Sequence, residues 1–268
     1  MKKTVTTIAG RECFIYDCGS MDTLLIQPIG EHSLETIDAE VSRLEEMAGS
    51  RSFTLAAFLT DWNQDLPPWE AEAVFGEEAF GNGAQGTLDF IIGSLIPEIT
   101  AGSKPTIYLG GYSLAGLFAL WAAYQTDAFA GIAAASPSVW YPGWIDFAEE
   151  CEIKAPVVYL SLGKKEEKVR HPLMKTVGDN IRRLNEILES SLANRSCTLE
   201  MNPGNHFVDA DLRMAKGFAW VMEKKPGVFT RSVISTCISR ARSNQKPRGK
   251  TAFGRGMRRS FRRTVCRC

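Results

Sequence analysis

The sequence predicts an α/β fold built on a mostly parallel sheet with helices on its faces, and three observations carry that prediction. Short apolar, β-branched runs alternate with helical segments along the first 225 residues. From Thr23 onward most strand patterns are followed by a helix pattern, the alternation that argues for parallel strands. From Pro105 to Thr126 a strand pattern, a glycine-rich turn and a helix pattern follow one another without a charged residue.

Taken in order, Arg11–Asp17 and Thr23–Pro28 read as an N-terminal hairpin or strand pair. Leu34–Met47 has apolar residues at 34, 37, 41, 44 and 47, a helical period with a polar back face. Ser33 stands before it as a cap and Gly49 stops it. Phe53–Thr60 is an apolar strand. A long loop with Pro67 and Pro68 follows, then a helix over about Thr87 to Ile99. Pro105–Gly110 reads as a buried strand and Leu117–Tyr124 as a buried helix. Gly131–Ala135 and Ala155–Leu162 are further strands. A charged helix is expected over about Pro172 to Leu192, a short strand at Thr198–Met201, and a last helix at Leu212–Glu223. No internal repeat is visible.

Composition bounds the class. With 268 residues, 44% hydrophobic and 23% charged, the chain has the make-up of a water-soluble globular protein. Its formal charge of zero hides an asymmetry. Residues 226–268 hold twelve Lys and Arg and no Asp or Glu, which leaves 19 basic against 31 acidic groups in residues 1–225. We therefore expect a folded domain at 1–225 and a basic, disordered tail at 226–268. Such a tail could meet polyanions, but nucleic acid is not expected as a partner. An accidental gene end explains this tail more simply. The uncharged run Pro105–Thr126 has the length of a membrane span. Gly110, Gly111, Ser113 and Gly116 at its middle argue for a strand-turn-helix instead. The N-terminus is too polar for a signal peptide. The seven cysteines, at 13, 18, 151, 197, 237, 266 and 268, lack metal-ligand spacing. A reducing, cytoplasmic setting is the expectation.

The turn inside the uncharged run, Gly111-Tyr-Ser113-Leu-Ala115-Gly116, matches G-x-S-x-[GA] between a strand and a helix. That is the context of a nucleophile elbow, in which a strained turn presents a serine hydroxyl above the sheet. The strict pattern ends in Gly where this chain has Ala115, and Gly116 follows. Chemistry in such sheets gathers at the carboxyl ends of strands, so partners for Ser113 belong in the loops that leave strands. There are three histidines. His32 precedes the elbow, His171 is followed by Pro172, and His206 lies in a glycine-containing loop before the last helix. Chain order in these hydrolases runs Ser, acid, His, so His206 is the expected base. The acid belongs at the end of a strand between them. Gly163-Lys-Lys-Glu166-Glu167 supplies two candidates, of which Glu166 is preferred; Asp127 and Asp146 are weaker. The oxyanion donors are expected to be the backbone N–H of Leu114 and an amide of the loop after Phe53–Thr60, with Trp62 preferred.

Four segments together resemble a family: Gly110-Gly-Tyr-Ser-Leu-Ala-Gly-Leu-Phe-Ala-Leu-Trp, Ala135-Ser-Pro-Ser-Val-Trp-Tyr, Ser161-Leu-Gly-Lys-Lys-Glu and Gly204-Asn-His-Phe. They are similar to an esterase group of the α/β-hydrolases, that of the enterochelin esterases and esterase D-like enzymes. The resemblance covers about residues 5–224 and ends before the tail. It implies the α/β-hydrolase fold and hydrolysis of small-molecule carboxylic esters, with no metal and no cofactor. It carries no particular substrate. Trp140, Tyr141 and Trp144 follow a strand on the active-site side and are candidates to line the substrate pocket, with packing under the loop as the alternative. An acyltransferase or thioesterase using the same three residues is the rival within enzymes. A non-catalytic binding module is the rival outside them.

Overall fold

The computed structural model describes residues 1–19, 21–74, 76–191 and 196–224. The basic tail expected at 226–268, and the domain boundary before it, lie outside the described residues.

A sheet of eight strands forms the centre. Its strands are β1 (Lys2–Ile8), β2 (Arg11–Cys18), β3 (Thr23–Ile29), β4 (Phe53–Leu59), β5 (Thr106–Tyr112), β6 (Gly131–Ala135), β7 (Val157–Gly163) and β8 (Ser196–Asn202). Their spatial order is β1-β2-β4-β3-β5-β6-β7-β8. The β1–β2 and β2–β4 pairs are antiparallel, and the pairs from β4 through to β8 are parallel. The inner strands are buried on both faces, as parallel strands under helices must be.

The N-terminal pairing differs from the expected one. The hairpin is β1 with β2, and β2 then pairs with β4 instead of β3. Six of the seven residues of β1 are exposed, so this edge strand has no apolar alternation to reveal it in Lys2-Lys-Thr-Val-Thr-Thr-Ile8. Backbone pairing defines it.

Helices α1 (Ile37–Ala48) and α8 (Ala210–Glu223) cover one face, with Ile37, Val41 and Leu44 packed beside Met214, Phe218 and Val221 over Tyr16, Leu25 and Leu55. The opposite face carries α3 (Ala84–Phe90), α5 (Leu114–Gln125), α6 (Trp144–Glu150) and α7 (Val177–Ser191). A short α2 (Trp62–Asp65) follows β4, and α3 runs through a π-helical turn at Ile91–Leu95 into α4 (Ile96–Thr100). The first helix starts later than expected. Glu31–Ser33 is a separate 3₁₀ turn and Thr36, not Ser33, precedes α1. Likewise the charged helix begins at Val177, after a 3₁₀ turn at Met174–Thr176.

Candidate active site

The elbow is formed as its sequence requires. Ser113, between β5 and α5, has φ 57° and ψ −119°, a conformation that costs a non-glycine residue of order 1–3 kcal/mol and persists only where surroundings impose it. They do so here through the backbone. Ser113 N–H donates to Ala135 O at 3.1 Å, and Ser113 O accepts from Leu117 N–H at 3.1 Å and Ser138 N–H at 3.0 Å. The chain doubles back so tightly that a Cβ on Gly111 would collide with the Ala115 backbone. Gly116, which follows the Ala115 that departs from the strict motif, is also held close: a Cβ on it would sit 2.9 Å from Gly111 O.

Because β5, β7 and β8 are parallel, the segments that follow them leave from the same edge of the sheet. Ser113 follows β5, Glu166 follows β7 and His206 follows β8. Glu166 Oε2 lies 2.8 Å from His206 Nδ1. The other carboxylate oxygen, Oε1, accepts from Gly163 N–H at 2.7 Å, Ser136 Oγ at 2.8 Å and Arg213 Nη1 at 2.9 Å. Burial pushes this carboxyl upward, but the bonds from His206, Gly163 and Ser136 outweigh it and hold the pKa below the ordinary glutamate value. Gly163 matters here for space: a Cβ on it would stand 2.7 Å from Gly204 O and 2.9 Å from Glu166 Oε1.

His206 is tied to the elbow from its backbone side. Tyr112, the residue before the serine, donates its hydroxyl to His206 O at 2.6 Å, and the two rings are 5.1 Å apart. Ser113 Oγ itself meets Ser138 Oγ at 3.3 Å. Among the described residues no hydrogen bond joins it to His206.

Other candidates fall elsewhere. Glu167 faces Arg182, 2.6 Å away. His171 is exposed, and its Nδ1 accepts from Met174 N–H at 3.4 Å. His32 follows β3, where its ring packs edge-on against Trp62 at 4.6 Å. Burial lowers the pKa of His32.

Trp62 opens α2 after β4, and β3 lies between β4 and the elbow strand β5. The turn that adjoins the elbow strand is therefore Gly30-Glu31-His32, leaving β3. Leu114 is the first residue of α5, where helical N–H groups have no partner within the helix.

The three pocket candidates, Trp140, Tyr141 and Trp144, are all buried, in the manner of the packing alternative. Trp144 is wholly buried, packed with Trp69, Tyr124 and Phe147. Tyr141 donates to Trp69 O at 2.7 Å and packs on Phe80. Between them Gly143 has φ 78° and Pro142 O accepts from Trp69 Nε1 at 2.8 Å, which ties this turn to the same aromatic cluster. Trp140, buried against Phe80 and Tyr141, belongs to the same cluster.

Arg213 is the participant that motif reasoning missed. It is 1% exposed, and its guanidinium reaches Glu166, Ser136, Tyr112, Pro203 and Asn205. Helical spacing could have found it, since Arg213, Gly217 and Val221 are four apart and all buried.

No protein-family model and no curated protein sequence matches the chain. Solved structures do. The siderophore hydrolase EstA from Aspergillus nidulans is similar with TM-score 0.63 and 19% identity, over 83% of this chain and 93% of that one. An IroE-like serine hydrolase from Shewanella oneidensis gives TM-score 0.68 at 14% identity, over 82% and 79% of the two chains. The enterobactin esterase FES from Shigella flexneri gives 0.60 at 14%, over 83% of this chain and 59% of that one. With the parallel sheet, the serine elbow at the end of β5 and the last two strands delivering Glu166 and His206, the fold of this chain is that of the α/β-hydrolases.

Proposed function

We propose that the chain is a serine esterase in which Ser113 is the nucleophile, His206 the general base and Glu166 the orienting acid. The 2.8 Å contact between Glu166 Oε2 and His206 Nδ1, beside the strained Ser113, is the observation that carries this reading. A carboxylate on Nδ1 fixes the tautomer that leaves Nε2 free to accept a proton, and it stabilises the imidazolium that follows. Rotation of the Ser113 hydroxyl from Ser138 toward His206 readies it for attack, since catalytic hydrogen bonds often tighten only with substrate bound.

Attack on an ester carbonyl then moves the serine proton to His206 and develops charge on the carbonyl oxygen. The Leu114 N–H, at the positive end of α5, is suited to receive that charge. For the second donor, the adjacency of β3 to β5 favours an amide of Gly30-Glu31-His32 over Trp62, whose ring instead supports His32. Collapse passes the proton from His206 to the departing alcohol and leaves an acyl-serine, which water clears by the same steps. These three side chains call for no metal or cofactor. The similar structures include siderophore hydrolases and an enterobactin esterase, which supports a small-molecule ester as substrate.

Covalent labelling by a fluorophosphonate, mapped to Ser113 by peptide mass, tests the reading. Labelling that persists in Ser113→Ala overturns it, and absence of labelling in the wild-type chain favours a non-catalytic module. A panel of acyl esters and thioesters, with and without alcohol acceptors, separates hydrolysis from thioester cleavage and acyl transfer.

A further inference from the structure

We infer that Arg213 is a positioning residue: its buried guanidinium joins the three segments that carry the nucleophile, acid and base, and it holds the carboxylate of Glu166 aimed at His206. The inference rests on the serine-esterase reading and adds a residue that the three-residue motif lacks.

The geometry is that of a hub. Nη1 lies 2.9 Å from Glu166 Oε1, 3.0 Å from Ser136 Oγ and 3.1 Å from the Tyr112 hydroxyl. Nη2 donates to Pro203 O at 2.8 Å and Asn205 O at 2.9 Å. One planar group thus contacts the strand end before the serine, the acid after β7, and the loop that ends in His206. Tyr112 closes the circuit, because its hydroxyl accepts from Arg213 and donates to His206 O.

The energetics explain why a charge belongs there. Burying a guanidinium is unfavourable unless it is paired and hydrogen-bonded, and the same holds for the carboxylate of Glu166, which is 5% exposed. Each supplies what the other needs. By occupying Oε1 with Gly163 and Ser136, Arg213 leaves Oε2 as the oxygen that faces the imidazole. The fork shape is essential. A single ammonium cannot span Glu166 on one side and the carbonyls of Pro203 and Asn205 on the other.

Misplacing a catalytic group by about 1 Å costs roughly a hundredfold in rate, so Arg213→Met should lower kcat by about that factor with KM little changed. Because Arg213 acts through Glu166, the losses should not multiply: in a Glu166→Gln background, Arg213→Met should lower kcat only a few-fold further. That double variant removes both buried charges and is expected to fold. Arg213→Lys gives a second reading with the charge retained and should show most of the same loss. A substrate-free readout is the low-field proton resonance of His206 Nδ1–H, expected in the wild-type chain and displaced or lost in Arg213→Met. Wild-type kcat in Arg213→Met, fully multiplicative losses, or an unchanged His206 resonance would each overturn the inference. Failure of the esterase reading looks different: the wild-type chain would not label with fluorophosphonate, whatever the resonance does.

Discussion

Glu166 Oε2 lies 2.8 Å from His206 Nδ1 across forty residues of sequence, while the adjacent Glu167 pairs with Arg182 at 2.6 Å. Two neighbouring carboxylates thus have opposite surroundings. One is buried among donors, and the other is part of a surface ion pair of the kind that contributes little. Under the proposed mechanism, Glu166→Gln should lower kcat by roughly 10⁴ through loss of the correct tautomer. Glu167→Gln should stay within a factor of about two, as is usual for surface changes. Steady-state kinetics on both variants with one activated ester decides between them, and a larger loss from Glu167→Gln would reassign the acid.

Ser113 and His206 should fail together. Residues that act as one unit lose their effect with the first removal, so Ser113→Ala or His206→Ala should each lower kcat by about 10⁵–10⁶. The double variant should then be scarcely slower than either single one. Multiplicative losses would mean that the two side chains serve separate steps and that the triad reading is wrong.

Much of the proposed site was legible because the residue types it calls for are few and fall where strands end. The glycine-flanked serine at 113 needs a strand before it and a helix after it, and both are written in apolar runs of the right length. His206 and Glu166 followed from chain order and from the places where strands end. What was illegible had no local signal. The polar edge strand Lys2–Ile8 exists through pairing alone, and the insertion of β4 between β2 and β3 is a long-range choice that no periodicity encodes. Whether Tyr141 and Trp144 face a cleft or the core depended on a turn whose direction the composition does not state. Arg213 was hidden by the habit of assigning charges to the outer face of a helix, although its register with Gly217 and Val221 places it inside.

Removing the basic tail should leave the catalytic body unchanged. The eight strands and the residues proposed for catalysis all lie at or before Glu223. A chain ending at Lys225 should therefore keep its thermal midpoint and its ester hydrolysis, and should bind heparin or DNA more weakly because twelve cationic residues are gone. Loss of soluble expression, or of hydrolysis, in the truncated chain would show that residues 226–268 belong to the folded unit.

Stability should fall with rising pH in a range set by a different glutamate. Glu40 on α1 is buried against Gln27 of β3, which donates to its Oε2 at 3.3 Å, and neither Glu40 Oε1 nor Gln27 Oε1 has a partner among the described residues. Burial, with a smaller contribution from Asp211 and against the Gln27 bond, raises the pKa of Glu40 from 4.5 to about 8. Between those values the folded chain keeps a proton that the unfolded chain releases, so the folded state loses stability as pH climbs from 4.5 toward 8. Below that range the contribution is fully present. Glu40→Gln removes the titration and offers Gln27 Oε1 the amide donor it lacks. The variant should be more stable than the wild-type chain at pH 8.5, with the difference narrowing steadily toward pH 5. Urea denaturation of both proteins across that range measures it. Parallel stability curves, with a constant difference at every pH, would show that Glu40 does not titrate there.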